Sequence, residues 1–515
     1  MGKPKFHGRL FFVPGTGQVD DTTRGHGPSQ RGRGAHAPRL WARLVTALLC
    51  LALLWPVHAP AQVSLPEIGD PSSAMLSPSQ EQQLGRSLLR EVRRNLPLSK
   101  DPQLLGYVEA VGQRLVSSAP DGHPNFTFLV VEDDGINAFA MPGGIVGVNT
   151  GLIEATRNEA ELAAVLAHEI AHVTQRHIAR AYAGSTRIDL AAGLAILAGI
   201  IASAYAPELG QAAIVGGMAG SAQARINFTR ANEQEADRIG ISILAATGFD
   251  PQAMPSFFER LQQLSGGLAE AVPEYLRTHP VTSNRISDSR ARADQYEGDY
   301  RSDSQEFRLI RARIQALQDP SRTISLHERR NDGEPPTPEQ LYGYALARNE
   351  RGQRDRALAA LERIDTSDNE SLALYVELAR AEVHMEGRNP DHPRALETLE
   401  RLHDIYPGYL PVAQTYARAL KDAGHHHQAI QVLDRLLEAD HPPPELLRLR
   451  ADAAARANRQ VISHESMAEY YFHHGQYREA VRQLDRALAS PDLTPHLEAR
   501  VRSKRDIAMR FTDDR

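Results

Sequence analysis

Residues 158–173, NEAELAAVLAHEIAHV, decide the fold. Asn158 is a capping residue, and Glu159 and Glu161 stand in a first turn where carboxylates suit the helix dipole. The apolar-periodic run then continues to about Ala183, so the stretch predicts one long helix. Inside it, His168-Glu169-Ile170-Ala171-His172 sets two imidazoles four residues apart. Such residues differ by about 40° around a helix, so both rings leave one face at a spacing that can close on one Zn²⁺. Glu169, about 100° round from His168, can reach a water at such an ion. A surface pair of histidines fits poorly here, because Val165, Leu166, Ile170, Ala171 and Val173 make the surroundings apolar. Two buried imidazoles beside a buried carboxylate need a partner, and a metal supplies one.

The third ligand fixes the class. A metzincin needs Gly at 175 and His at 178, where this chain has Gln175 and Ile178. His177 lies nine residues from His168, about 180° round the same expected helix, and reads as a structural or surface residue facing away. Sixty residues after His172 begins Asn232-Glu233-Gln234-Glu235-Ala236-Asp237, read as a second helix capped by Asn232 with Glu235 as its box partner and ended by Gly248. Glu233 and Asp237 share a face, and Glu235 points about 200° away. Glu233 is then the natural oxygen ligand, and Asp237 an acceptor able to orient a ligand imidazole.

The surrounding pattern is α+β. Ser77-Pro78 with Gln80, and Asp101-Pro102, are helix starts. Residues 126–131, 136–141 and 145–149 read as short strands around the turns Asp133-Asp134-Gly135 and Pro142-Gly143-Gly144. From about Thr337 onward the pattern is helical and repeats. Ala345, Gly352 and Ala357 recur as Ala417, Gly424 and Ala429 and as Ala468, Gly475 and Ala480, with a weaker copy at Gly387 and Ala395. Small residues at helix contacts and glycine at the turn describe about four tetratricopeptide-like helix pairs, an all-α solenoid. The expected division is a metallopeptidase domain over 77–330 and a repeat domain over 337–515.

The N-terminus reads as an export signal. In the 515-residue chain, Arg31, Arg33, Arg39 and Arg43 precede an apolar core between Trp41 and Trp55 that runs into Ala59-Pro60-Ala61. A core of about 12 residues is short for a span of roughly 20, so cleavage after Ala61 is expected, with 62–76 as a linker. The lone cysteine, Cys50, lies inside that segment and follows Leu49 rather than a small residue, which does not suit a lipid attachment site. The mature chain then has no thiol, and any metal must be held by nitrogen and oxygen. Residues 1–61 hold eight Lys/Arg and two Asp/Glu, so their removal takes the formal charge from −6 to −12 and leaves no support for a nucleic-acid partner. The uncharged run 190–206, rich in Ala, Gly and Ile, is at the short limit for a membrane span. It reads as a lid or as a surface lying against client or membrane.

The paired motifs at 168–172 and 233–237 resemble the gluzincin metallopeptidase family that includes the CAAX prenyl protease. The likeness widens through residues 137–144 (NAFAMPGG), 148–152 (VNTGL), 233–240 (EQEADRIG), Thr278-His279-Pro280 and the repeats. Over that range the chain is similar to the periplasmic β-barrel assembly-enhancing proteases. The resemblance implies one Zn²⁺ on His168, His172 and Glu233, Glu169 as general base and Asp237 as the motif aspartate, a second catalytic residue that serves either as a proton donor or to orient a ligand imidazole. It also implies the outer-membrane β-barrel assembly machinery and unfolded or stalled barrel proteins as partners. His279, in the polar loop 277–280, is read as an oxyanion stabiliser or a fourth ligand that plugs the site, with an ordinary loop histidine as the alternative. The strand Ile145, Val146, Gly147, Val148 and Asn149 is the candidate edge for an extended substrate, with an internal core strand as the alternative. The rival expectation is a non-proteolytic assembly scaffold whose zinc site is structural or latent.

Overall fold

The computed structural model describes residues 77–119, 125–183, 230–265, 273–329, 335–387, 390–439 and 442–513. The expected signal and linker, and the Ala/Gly-rich run after 189, lie outside the described residues. Helix α1 (Pro78–Asn95) begins with the Ser77–Gln80 capping box, and α2 (Pro102–Val116) is capped by Asp101, whose side chain accepts from Gln103 N and Leu104 N. Three strands follow, β1 (Thr127–Val131), β2 (Ala138–Met141) and β3 (Ile145–Asn149).

The sheet order is β1-β3-β2, with β1 parallel and β2 antiparallel to β3. This corrects the expectation for residues 145–149. Ile145, Val146, Gly147, Val148 and Asn149 form the central strand, hydrogen-bonded on both sides and buried throughout, so their backbone is not open to a substrate. The reason is the crossover: β1 pairs with β3, leaving β2 at an edge among the described residues. Gly147 is required there, since a Cβ would lie 2.2 Å from the Phe139 ring.

After α3 (Thr150–Ala155) comes α4 (Glu159–Thr174), capped by Asn158 as expected. It does not continue to Ala183. Gln175 leaves helical geometry, Arg176 adopts a left-handed φ of 51°, and a separate short helix α5 (His177–Ala183) starts in a new direction. Helix α6 (Arg230–Ala246) already includes Asn232, so Asn232 lies in its first turn rather than capping it. Then follow α7 (Ala253–Ser265), α8 (Glu274–Thr278), α9 (Ser283–Ala293), α10 (Gln305–Gln318) and α11 (Pro320–Glu328).

The repeat array comprises α12 (Pro338–Glu350), α13 (Arg354–Glu362), α14 (Glu370–Met385), α15 (His392–Ile405), α16 (Leu410–Asp422), α17 (His426–Leu436), α18 (Glu445–Arg456), α19 (Gln460–His473), α20 (Tyr477–Leu488) and α21 (Pro495–Asp513). Among the described residues these are ten helices, and the glycine turns at 352, 387, 424 and 475 join α12 to α13, α14 to α15, α16 to α17 and α19 to α20, so α18 and α21 lie outside the pairs that glycine spacing marks. The missed turn lies between α18 and α19, where Asn458 takes a φ of 58° that glycine supplies elsewhere. One apolar core runs without a break from Leu104 through α4, α6 and α10 to Val383, so the first repeat helices share the core of the metallopeptidase domain. No helix among the described residues is long and apolar enough to cross a membrane.

Candidate active site

Helices α4 and α6 lie side by side, and Gly240 sets how closely. A Cβ there would stand 2.8 Å from Met254 Cε and 3.3 Å from the His168 backbone nitrogen. The contact brings the first turn of α6 beside the HExxH segment. His168 Nε2 and His172 Nε2 are 3.0 Å apart, and Glu233 offers one oxygen to each at 3.5 Å. His279, the C-cap residue of α8, turns inward with Nδ1 3.4 Å from His168 Nε2 and 3.2 Å from both Glu233 oxygens. All four side chains are buried, and their ligand atoms lie within 4.8 Å of one another. A tetrahedral ion with bonds of about 2.0–2.1 Å needs donor separations of roughly 3.3 Å, and the separations among His168, His172 and Glu233, with those of His279 from His168 and Glu233, are 3.0–3.5 Å. The donor set is nitrogen and oxygen only, and the four residues form the one such buried group among the described residues.

Around the donors stands a shell of buried charge. Asp237 Oδ1 lies 2.9 Å from His168 Nδ1. Arg285 of α9 grips Asp237 with two bonds, Nε to Oδ2 at 2.8 Å and Nη2 to Oδ1 at 2.7 Å, and its Nη1 lies 2.8 Å from Glu233 Oε2. Arg285 also donates to Pro280 O at 2.9 Å, which ties the His279 loop to the same guanidinium. Tyr275, fully buried, stacks its ring on His279 at 4.8 Å, and its N–H donates to Ile136 O just before β2. Glu169 differs from these groups. It is buried, yet neither carboxylate oxygen has a hydrogen-bond partner among the described residues, and the nearest cation-forming group is His279 Nε2 at 3.6 Å.

The titration behaviour follows from this layout. Burial pushes the Glu169 carboxyl up, partly offset by His279 and His168, so it is a stronger base than an exposed glutamate. Burial alone would lower His168, but the Asp237 and Glu233 carboxylates reverse it and raise the ring to about 9. His172 is held well below the ordinary range by burial and by the neighbouring His168. Glu233 is pulled well below the carboxylate range despite burial, by His279 and His168, and Asp237 is lowered by Arg285.

Two features escaped the sequence. Arg285 sits six residues past His279 on a helix capped by Thr282, and nothing in its spacing distinguished it from other arginines. His177 does not face away: it is fully buried, with Nδ1 2.8 Å from His172 Nδ1. The 180° estimate assumed an unbroken helix, and the break at Gln175–Arg176 re-aims the residue. Its partner Glu235, 3.1 Å from His177 Nε2, is also held by Arg180 at 2.7 Å. The His425–His427 cluster, by contrast, sits at the start of α17, with two of its three residues exposed, and joins no metal-ligating group among the described residues.

Comparison with known proteins bears on this geometry. Residues 102–293 match the model of peptidase family M48, and residues 386–453 match a tetratricopeptide repeat model. The β-barrel assembly-enhancing protease of Escherichia coli K12 is 33% identical over 92% of this chain and 97% of its own length. The protein of that name from Yersinia pestis is 34% identical over 80% of this chain and 93% of its own length. The chain belongs to the β-barrel assembly-enhancing protease family. A more distant relative, the mitochondrial metalloendopeptidase OMA1 of Arabidopsis thaliana, is 36% identical over 30% of this chain and 29% of its own length. As a member of the assembly-enhancing protease family, the protein is a metalloprotease with an M48 domain followed by a tetratricopeptide array.

Proposed function

We propose that the protein is a zinc endopeptidase, exported to the periplasm through a cleaved signal, that acts on unfolded or stalled outer-membrane β-barrel proteins. It serves their assembly or degradation beside the barrel assembly machinery, with the repeat array as the partner-reading half and a chaperone role alongside proteolysis. The observation that carries the reading is the convergence of His168, His172, Glu233 and His279 beside a buried carboxylate with no hydrogen-bond partner among the described residues, Glu169. A zinc ion held by His168, His172 and Glu233 would supply Lewis acidity to a peptide carbonyl and lower the pKa of a water. Glu169 accepts the proton of the attacking water and returns it to the leaving amine, a role that its raised pKa and lack of competing hydrogen bonds suit. Asp237, held by Arg285, orients the His168 ring. With residues 145–149 in the sheet centre and the outer side of β1 bridged by residues 97–99, the edge assigned to an extended client backbone is β2, which packs on α4.

One observation favours a latent state of the same site. His279 Nδ1 stands among the donor atoms, in the fourth position that a water needs. His279 then acts as a plug, and moving its loop opens the enzyme. The test is zinc-dependent cleavage of an unfolded β-barrel outer-membrane protein by the purified chain beginning at Gln62, with Glu169→Gln and His279→Ala alongside. Cleavage lost in the first variant and raised in the second is the expected result. No cleavage in any of the three contradicts the reading and leaves a scaffold.

A further inference from the structure

Between His172 and the second face of α6 runs a chain of polar contacts that the proposed reaction does not use. His172 turns Nε2 toward the other donors, and its Nδ1 lies 2.8 Å from His177 Nδ1. His177 Nε2 in turn lies 3.1 Å from Glu235 Oε2, which Arg180 holds at 2.7 Å. An imidazole that gives Nε2 to a metal carries its proton on Nδ1, so His172 must donate, and the group facing it must accept. His177 Nδ1 can accept only if its own proton is on Nε2, where the Glu235 carboxylate receives it. The three residues therefore have one consistent assignment of protons, and Glu235 at the far end selects it.

The backbone supports the arrangement. An unbroken helix would carry His177 about 140° away from His172. Instead Arg176 adopts a φ of 51°, a conformation that a non-glycine side chain rarely takes, and its guanidinium is tied to Glu81 of α1 at 3.0 Å. The result is a fully buried His177 packed edge-on against the His172 ring, with centroids 4.8 Å apart. We propose that His177 and Glu235 form a positioning relay that fixes the tautomer and ring orientation of His172 as a metal ligand. It is the counterpart, on the opposite side of the site, of the Asp237–Arg285 pair behind His168. The relay rests on the metal-site reading above.

The test is the zinc dissociation constant of the purified chain from Gln62, measured by chelator competition, with the thermal midpoint of the metal-free protein read on the same samples. His168→Ala is the control for the site itself. His177→Leu, which removes the acceptor, should weaken zinc by about 10- to 100-fold. His177→Asn, whose Oδ1 replaces Nδ1 as acceptor, should recover most of that loss, and Glu235→Ala should cost a smaller factor of about 3 to 10, within the range for outer-shell partners or just below it. With Co²⁺ in place of zinc, the visible absorption bands should shift in the leucine variant and stay near the wild-type position in the asparagine one. Should His177→Leu fail to fold, Glu235→Ala, a change at a half-buried residue, decides alone. Wild type binding zinc, with His177→Leu and Glu235→Ala both within twofold of it, overturns the relay and leaves the metal site standing. Wild type binding no zinc, or His168→Ala binding as tightly as wild type, overturns both.

Discussion

Two buried clusters of charge, one at the HExxH helix and one where the repeat array joins the metallopeptidase domain, look alike in composition and differ in completeness. At the junction, Arg313 of α10 donates to both oxygens of Glu382 on α14, at 2.9 and 3.1 Å, and to Asp101 at 2.6 Å. Gln103 donates to Glu382, and the Tyr342 hydroxyl donates to Gln103, so four helices and the α2 cap close one network. At the HExxH helix, Arg285 binds Asp237 and Glu233 in the same manner, yet the Glu169 oxygens have no hydrogen bond and four ligand atoms point at one another. A closed network holds architecture, whereas an open one, costly to keep in a low-dielectric interior, marks where a ligand and a reaction belong.

The contrast can be broken at either end. Glu169→Gln should reduce peptide hydrolysis by on the order of 10³-fold, the typical worth of a general base, while the thermal midpoint stays level or rises because a buried unpaired carboxyl is neutralised. A drop in midpoint as large as the activity loss would mean that Glu169 is structural. Arg313→Met should have the opposite profile. It strands Glu382 and Asp101 and should cost about 3–5 kcal/mol in urea unfolding, with zinc binding intact. Adding Glu382→Leu should recover much of that cost, since a well-packed apolar replacement of a buried ion pair is often neutral. If the double variant is as unstable as the single, the network is worth more than its pairwise bonds.

A smaller effect tests how the open cluster is assembled. Gly240→Val pushes α6 away from Met254 and the His168 backbone, and should cost about 1–3 kcal/mol together with a measurable loss of zinc affinity. Stability lost without affinity would show that Glu233 tolerates the shift. The smallest effect belongs to a third ion cluster, at the C-terminal end of the array. Glu465 is buried, Arg500 and Lys504 reach it at 2.5 and 2.7 Å, and these cations hold its carboxyl below the ordinary 4.5 against the cost of burial. A depressed carboxyl stabilises fully above its unfolded value and ceases to do so as the pH falls through the folded one. The array should therefore lose stability on acidification below about pH 4.5. Glu465→Gln, followed by circular dichroism across that range, should flatten the slope.

How much of this was legible in the sequence depended on whether the signal was local. Caps at Ser77, Asp101 and Asn158, the three strands and the HExxH face all rest on neighbouring residues, and the structure has them where the pattern put them. The spacing that brings His168 and His172 on α4 to face Glu233 on α6 was legible for the same reason. Strand order was not, because pairing β3 with both neighbours is a long-range choice that an alternating pattern of five residues leaves open. His177 was misplaced for a related reason: a helical wheel assumes continuity, and the break lies at Gln175 and Arg176, neither of them a usual breaker. Asn458 hid a repeat turn because it takes a left-handed conformation that glycine supplies at the other turns. Arg285 carried no pattern at all, since its role is defined only by the two acidic side chains that α6 brings to it.

The most direct test of the central claim is zinc stoichiometry after equilibrium dialysis of the purified chain beginning at Gln62, with Glu233→Ala and Glu169→Gln in parallel. One zinc per chain is expected in the wild type, one in Glu169→Gln and a loss of binding in Glu233→Ala, as follows if the first residue serves the reaction and the second the ion. Wild-type protein that takes up no zinc, or Glu233→Ala that holds it as tightly as wild type, would overturn the assignment of a zinc site to His168, His172 and Glu233.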